Sequence, residues 1–338
     1  MTHDLIVVGA SAGGVEALTQ LVRQLPEDLG AAVFVVLHVS PHGTSVLPSL
    51  LARAGPLPAH HAEDGETYRP GCIYVARPDH HLLVDHGKVR VVRGPSENGH
   101  RPAIDPLFRS AALTGGRRVV GVILSGLLDD GTSGLHSIKS RGGITLVQDP
   151  REALFTGMPQ SAINRVGVDA VLPIAEIAKR LAALSLETVD DVRPAEIPGD
   201  TRLTREVSTA EMIAGALDAE GHPGTPSMYS CPGCNGVLWE IKEGAGFRFR
   251  CRTGHAYSLE TLLSEQSRAL DEALWMALRA LEESASLSDR LAGRARERGH
   301  DRIAALFTAQ SETSSTRAET IRQALLIPNP EAVYDNVS

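Results

Sequence analysis

The 338-residue chain is long enough for two domains with separate cores. A formal net charge of −8 argues against a dedicated nucleic-acid binder, which needs a basic face to neutralise phosphates. No apolar run approaches the ~20 residues that cross a bilayer, and the longest, AAVFVVL at 31–37, reads as a buried strand. The N-terminus MTHDLIVVGAS lacks the basic start, apolar stretch and cleavage site of a signal peptide, so no membrane insertion and a cytoplasmic location are expected. Four cysteines do not make a disulfide framework in a chain of this length.

In chain order, DLIVV (4–8), AVFVVL (32–37), RVVGVIL (118–124), GITLV (143–147) and DAVL (169–172) are continuous β-branched runs, the pattern of strands buried on both faces. Helical segments are expected between them at Gly14–Leu25, Thr44–Arg53, Asp105–Thr114, Gly131–Arg141 and Pro159–Arg165. This alternation predicts an α/β fold, a doubly wound and mainly parallel sheet over residues 1–185. HLLVD-HG-KVRVV (81–92) carries two alternating runs around a His-Gly turn and predicts an inserted antiparallel hairpin. Residues 186–227 are rich in Asp, Glu, Pro and Thr and read as an exposed linker. A Cys-rich element follows at 228–257. A helical hairpin is expected over 258–328, with a break at Gly299, a second helix from about Asp301 to Leu326, and an apolar stripe of Leu263, Leu270, Leu274, Ala277 and Leu281.

The first strand runs into Gly9-Ala10-Ser11-Ala12-Gly13 and then into a helix, the strand–turn–helix context that gives G-x-S-x-G its chemical meaning. The turn exposes the serine hydroxyl at the carboxyl edge of the sheet, and the helix aims unpaired N–H groups where an oxyanion would form. Serine needs a base, and His38 ends the next strand run; adjacent parallel strands bring their carboxyl ends together. A third strand end, VILSGLLDDGTSGL (122–135), carries Asp129 and Asp130, and an aspartate there would orient the imidazole. Taken singly, these residues also suit a phosphate-cradling loop, a hydrogen-bonded loop histidine and a helix N-cap.

At these residues the chain resembles the catalytic domain of the chemotaxis methylesterase family (CheB) over about 1–180. The resemblance rests on GASAGG (9–14), LHVSPHGTS (37–45), AEDGE (62–66), GCIYVARPDHH (71–81), HRPAIDPLF (100–108), LSGLLDDG (124–131) and GMPQSAI (157–163). It implies a serine hydrolase that demethylates glutamyl esters on chemoreceptor-type proteins, and that deamidates glutamines by the same machinery, with Ser11, His38 and Asp130 as its triad and no catalytic cofactor. Ala12 and Leu127 then border the oxyanion site through backbone N–H groups, and Arg101 faces substrate or receptor unless it is a solvated loop arginine. The chain departs from the family pattern: Ala12 replaces a threonine, Leu37 a glutamine, and Leu127 and Leu128 replace the methionine and second glycine of the G-M-G-x-D-G loop. The sequence opens at the first strand of this fold, so control by an N-terminal receiver domain is expected to be absent.

Cys231-Pro-Gly-Cys234 and Cys251-Arg-Thr-Gly-His255 form C-x2-C-x16-C-x3-H, two ligand pairs suited to one structural Zn²⁺ in a ribbon whose hairpin spans 237–250. A redox C-x-x-C or a metal-free ribbon are the rival readings. Cys72 reads as a small core residue. The helical hairpin would pack internally, dimerise or dock on a partner. Two further functions stay open for the whole chain: an idle signalling scaffold working through the zinc and helical module, and a nucleotide-binding module, which the lack of G-x-G-x-x-G and of an acidic end to the second strand disfavours.

Overall fold

Six consecutive buried residues, Leu5–Ala10 (β1), set the frame of the molecule. Ile6, Val8 and Ala10 enter one apolar cluster and Leu5 and Val7 another, as period-two alternation requires of a strand covered on both faces. The computed structural model describes residues 1–43, 45–189, 201–213, 224–243 and 246–327. Two units are distinguished, Met1–Leu262 and Leu263–Ser338.

In the first unit, β1, β2 (Ala32–Leu37), β3 (Ala59–His61), β4 (Ile73–Val75), β7 (Val119–Ile123), β8 (Ile144–Gln148) and β9 (Ala170–Leu172) form a parallel sheet in the order β3-β4-β2-β1-β7-β8-β9. The chain winds outward from β1 through β2 in one direction and returns to wind outward through β7 in the other. The switch point therefore lies at β1, where doubly wound folds place their ligands. Helices α1 (Gly14–Arg23), α2 (Leu47–Ala54), α3 (Ile104–Gly115), α4 (Thr132–Ser140), α5 (Gly157–Val166) and α6 (Ile174–Leu184) cover it. The apolar stripes of α1, α2 and α6 meet Ile6 and Val8; those of α3, α4 and α5 meet Leu5 and Val7. The strands β5 (His81–Asp85) and β6 (Lys88–Val92) pair antiparallel across the His86-Gly87 turn, as the alternating runs predict.

All five expected strands and five expected helices are present, with ends displaced by up to three residues. The short strands β3 and β4 and the helix α6 were not among the expected elements. Cys72 is buried beside β4, in keeping with a core role.

The expected linker is not wholly a linker. Helix α7 (Thr201–Ala210) lies within it and buries Leu203, Glu206, Thr209 and Ala210, while β10 (Thr225–Ser230) starts before its predicted end. The parts of the linker at 190–200 and 214–223 lie outside the described residues. Strand β10 opens an antiparallel sheet continued by β11 (Val237–Glu243), β12 (Gly246–Cys251) and β13 (Ala256–Ser258). This ribbon belongs to the same unit as the parallel sheet. From β12, Arg248 and Arg250 reach the buried carboxylates of Glu97 and Glu206, and Arg109 of α3 joins Glu97 from the sheet side. Polar composition hid this contact, because the burial is secured by paired charges rather than by apolar surface.

Helix α8 (Leu259–Glu297) leads to α9 (Asp301–Leu326) through Gly299, which adopts φ 73°. The buried seam of the second unit differs from the expected stripe. Leu278, Ala285, Ser288, Ala292 and Ala295 are buried on α8 and face Ala304, Ser311, Ser314 and Ala318 of α9, whereas Leu263 and Leu270 are 53% and 59% exposed. Steps of seven, three and four among small residues let the two helices approach closely, and the Ser311 hydroxyl donates to the Ala285 carbonyl at 3.1 Å. Among the described residues, no helix is long and apolar enough to cross a membrane.

The charge cluster has a defined pH signature. Burial raises the Glu206 carboxyl, but Arg250, Arg248 and Arg109 outweigh it and hold the group at about 2 against an ordinary 4.5. A depressed carboxyl stabilises the fold above its unfolded value, and that stabilisation is lost as the pH falls through the folded one. Glu206→Gln is expected to lower unfolding stability at pH 7 by about 3 kcal/mol. It should also shrink the further loss between pH 4.5 and pH 2, read from urea midpoints.

Candidate active site

The carboxyl ends of β2, β1 and β7 lie side by side, and each delivers one polar side chain. Ser11 follows β1 directly, its N–H bonded to the Ser125 carbonyl at 3.0 Å and its own carbonyl to the Gly14 N–H at 2.8 Å. Gly13 caps α1 at φ 69°; a Cβ there would lie 2.8 Å from Ser125 Oγ and 2.9 Å from Leu154 Cβ, so only glycine makes this turn. His38 follows β2, with its N–H on the Ala10 carbonyl at 3.2 Å. Asp130 ends the loop after β7.

The structure brings these three together. His38 Nδ1 lies 3.1 Å from Ser11 Oγ, and His38 Nε2 lies 2.8 Å from Asp130 Oδ2. A carboxylate only accepts, so the imidazole proton sits on Nε2 and leaves Nδ1 to accept from the serine hydroxyl. The His38 side chain is 7% exposed and that of Asp130 3%, so little water competes for these bonds. His100 stacks on the His38 ring at 3.7 Å between centroids and restrains its rotation.

Asp130 is surrounded by donors. Oδ2 also accepts the Ile104 N–H at 2.7 Å, while Oδ1 accepts the Asn98 amide at 2.8 Å and the Gly131 N–H at 2.9 Å. Burial raises this carboxyl, but the His38 hydrogen bond, the Ile104 N–H and the Asn98 amide outweigh it and hold it well below the ordinary range. Its neighbour Asp105 goes the other way: burial and the adjacent Asp130 charge raise it to about 7. Asp129 points elsewhere, accepting from Ser258 Oγ at 2.7 Å, Thr261 Oγ1 at 3.1 Å and Arg165 at 2.9 Å.

The loop 125–128 passes beside the serine. A Cβ at Gly126 would fall 2.1 Å from Met158 Sδ and 3.0 Å from Ser11 Cβ, which places the backbone leading into Leu127 next to the hydroxyl. Ala12 adjoins the serine, and its carbonyl accepts from Ser125 Oγ at 2.8 Å. Arg101 is engaged within the protein: its guanidinium bonds Asp79 Oδ1 from Nε at 2.8 Å and the Gly94 carbonyl at 2.7 Å, and a quarter of its side chain stays exposed. The sequence carries no pattern that marks Asn98 or His100 as site residues. Asn98-Gly99 looks like an ordinary turn in sequence, and only the fold brings that turn onto Asp130.

The ribbon collects a second set. One ligand atom from each of Cys231, Cys234, Cys251 and His255 lies within 4.8 Å of the others. Cys234 Sγ–Cys251 Sγ, Cys231 Sγ–His255 Nδ1 and Cys251 Sγ–His255 Nδ1 are each 3.6 Å. Tetrahedral bonds of about 2.0–2.3 Å to Zn²⁺ set ligand separations of roughly 3.5–3.8 Å, so the donors fit such an ion.

The family model "CheB methylesterase" matches residues 6–181. The chain is 38% identical over 182 residues to a protein-glutamate methylesterase/protein-glutamine glutaminase of Anaeromyxobacter dehalogenans, covering 54% of this chain and 53% of that protein. It is 39% identical over 186 residues to the Yersinia pestis protein of the same description, covering 54% and 53%. The crystal structure of the Thermotoga maritima CheB methylesterase catalytic domain superposes with a TM-score of 0.52 at 34% identity, covering 54% of this chain and 98% of that one. The chain thus spans about half the length of the curated relatives it matches. With more than half of its residues matched by the family model, and with its fold shared by that catalytic domain at 34% identity, this chain belongs to the CheB methylesterase family.

Proposed function

We propose that this protein is a serine hydrolase that demethylates glutamyl methyl esters on receptor-type signalling proteins in the cytoplasm, and deamidates glutamines at the same sites. The observation that supports this most is the single imidazole bonded to a serine hydroxyl on one nitrogen and to a buried carboxylate on the other. Ser11 Oγ attacks the ester carbonyl carbon while its proton passes to His38 Nδ1. The tetrahedral intermediate collapses, the bond to the methoxy oxygen breaks, and His38 returns the proton so that methanol leaves. Water then gives a proton to His38 and attacks the acyl carbon; the bond to Ser11 Oγ breaks, Ser11 regains its proton from His38, and the glutamic acid formed gives up its remaining carboxyl proton to solvent and leaves as carboxylate. With glutamine the leaving group is ammonia and the remaining steps are the same.

Asp130 holds the imidazole with its proton on Nε2 and stabilises the imidazolium formed in each half-reaction. The positive end of α1 and the backbone N–H groups of Ala12 and Leu127 supply the oxyanion site. Methyl-accepting chemoreceptors are the substrate class. The four ribbon ligands Cys231, Cys234, Cys251 and His255 hold one structural Zn²⁺. Four protein ligands would leave such an ion no open position, so it would support the fold and take no direct chemical part in the hydrolysis.

Methanol release from methylated receptor should fall by about 10⁴-fold or more in Ser11→Ala and by about 10⁴-fold in Asp130→Asn, with the fold unchanged by circular dichroism. Full activity in Ser11→Ala would remove the assignment. Elemental analysis of the purified chain should find about one zinc per chain, lost in Cys251→Ser; a metal-free but fully folded ribbon would overturn the zinc site.

A further inference from the structure

We infer that the metal-ligand ribbon is a clamp on the catalytic carboxylate: closing Cys231, Cys234, Cys251 and His255 around a zinc-class cation fixes β13, and β13 holds Asn98 so that Asp130 stays oriented on His38. This rests on the hydrolase reading, because it gives Asn98 a positioning role in that site.

Three consecutive residues of one loop are gripped by the ribbon. The Ser96 carbonyl accepts the Ala256 N–H at 3.4 Å, and the Asn98 N–H donates to the Ala256 carbonyl at 2.7 Å, so β13 pairs with the loop as an added strand. Between them, the Glu97 carboxylate accepts from Arg248 and Arg250 of β12, each at 3.1 Å. The Ser258 N–H donates to Asn98 Oδ1 at 3.0 Å. That bond decides which way the amide faces. With Oδ1 engaged by Ser258, Nδ2 is turned toward Asp130 Oδ1 at 2.8 Å and Asp105 Oδ2 at 3.2 Å.

The ligand set is joined to this grip through the chain itself. His255 immediately precedes Ala256, and its carbonyl accepts the Cys251 N–H at 3.0 Å. Losing the ion would free both ends of the short turn that delivers β13, and a three-residue strand has too few bonds to hold its place alone. The same strand reaches the other side of the catalytic loop, where Ser258 Oγ caps the first turn of α8 through the Thr261 N–H at 3.0 Å and donates to Asp129. Asp130 thus stands between two residues, Asn98 and Asp129, that the end of the ribbon holds.

The test uses the full chain, zinc-loaded or stripped with a chelator, and a fluorophosphonate probe that labels Ser11. Asn98→Gly is the informative variant, because Asn98 sits at φ 50° and glycine keeps that backbone while removing the side chain that carries the carboxamide. Stripping the wild-type chain is expected to lower the saturating labelling rate about tenfold, with the half-saturating probe concentration unchanged, and added zinc restores it. Loaded Asn98→Gly shows a similar loss, and stripping it costs less than about twofold more, since both changes remove one interaction. Hydrogen exchange at the Asn98 and Ser258 amides rises on stripping while that of β1 does not. A stripped wild-type chain that labels at the full rate, or keeps those amides protected, overturns the clamp. So does a loaded Asn98→Gly that labels normally. If the loaded wild-type chain does not label at all, the hydrolase reading falls instead, and the exchange data still report separately on the coupling of the ion to Asn98.

Discussion

The site depends on keeping one buried carboxylate charged. Asp130 is almost wholly shielded from water, and an isolated anion in such a place would take up a proton. It stays ionised because its oxygens collect donors from separate parts of the chain: His38, the Asn98 amide, and the backbone N–H groups of Ile104 and Gly131. The Ile104 donor comes from the first turn of α3, whose own N-cap, Ala103, offers no side-chain acceptor. Asp130 therefore caps α3 from outside, and the helix returns its positive end to the carboxylate. Sheet, helix and histidine are mutually fixed through one side chain.

The frame was legible because strands buried on both faces cannot hide their apolar runs. The three site residues were legible because Ser11 and His38 directly follow two of those strands and Asp130 lies in the loop that leaves a third. What escaped had a different physical basis. Helix α7 reads as linker because it is tethered by Leu203 and by the Glu206 ion pairs rather than by a broad apolar stripe. The α8–α9 seam was displaced from the leucine stripe because alanine and serine permit the closest approach, and hydrophobic periodicity does not count serine. The exposed leucines mark instead the part of α8 that precedes its pairing with α9. Asn98 and His100 carry no local pattern; their meaning comes from residues 30 or more positions away.

The loop that borders the serine carries a visible cost. Leu128 adopts φ 57°, a conformation that disfavours side chains, and it stands where the resemblance places the family's second glycine. The neighbouring packing leaves little freedom to relax: Gly126 is closed in by Met158, and a Cβ on Gly157 would lie 2.8 Å from the Leu128 nitrogen. The surroundings hold the leucine in a turn that glycine would enter without strain.

The paired charges that fasten α7 and β12 to the sheet are almost completely withdrawn from solvent: the side chains of Glu97, Arg109 and Arg250 are no more than 2% exposed. Mobile counter-ions act on charges they can approach, over a screening length of roughly 8–10 Å in physiological salt. Dissolved salt cannot enter this cluster without first opening it. The attachment is accordingly indifferent to ionic strength over ranges that would dissolve a surface bridge. Heat also weakens it less than it would a contact of the same strength made at the surface, because the penalty for dehydrating ions falls as temperature rises.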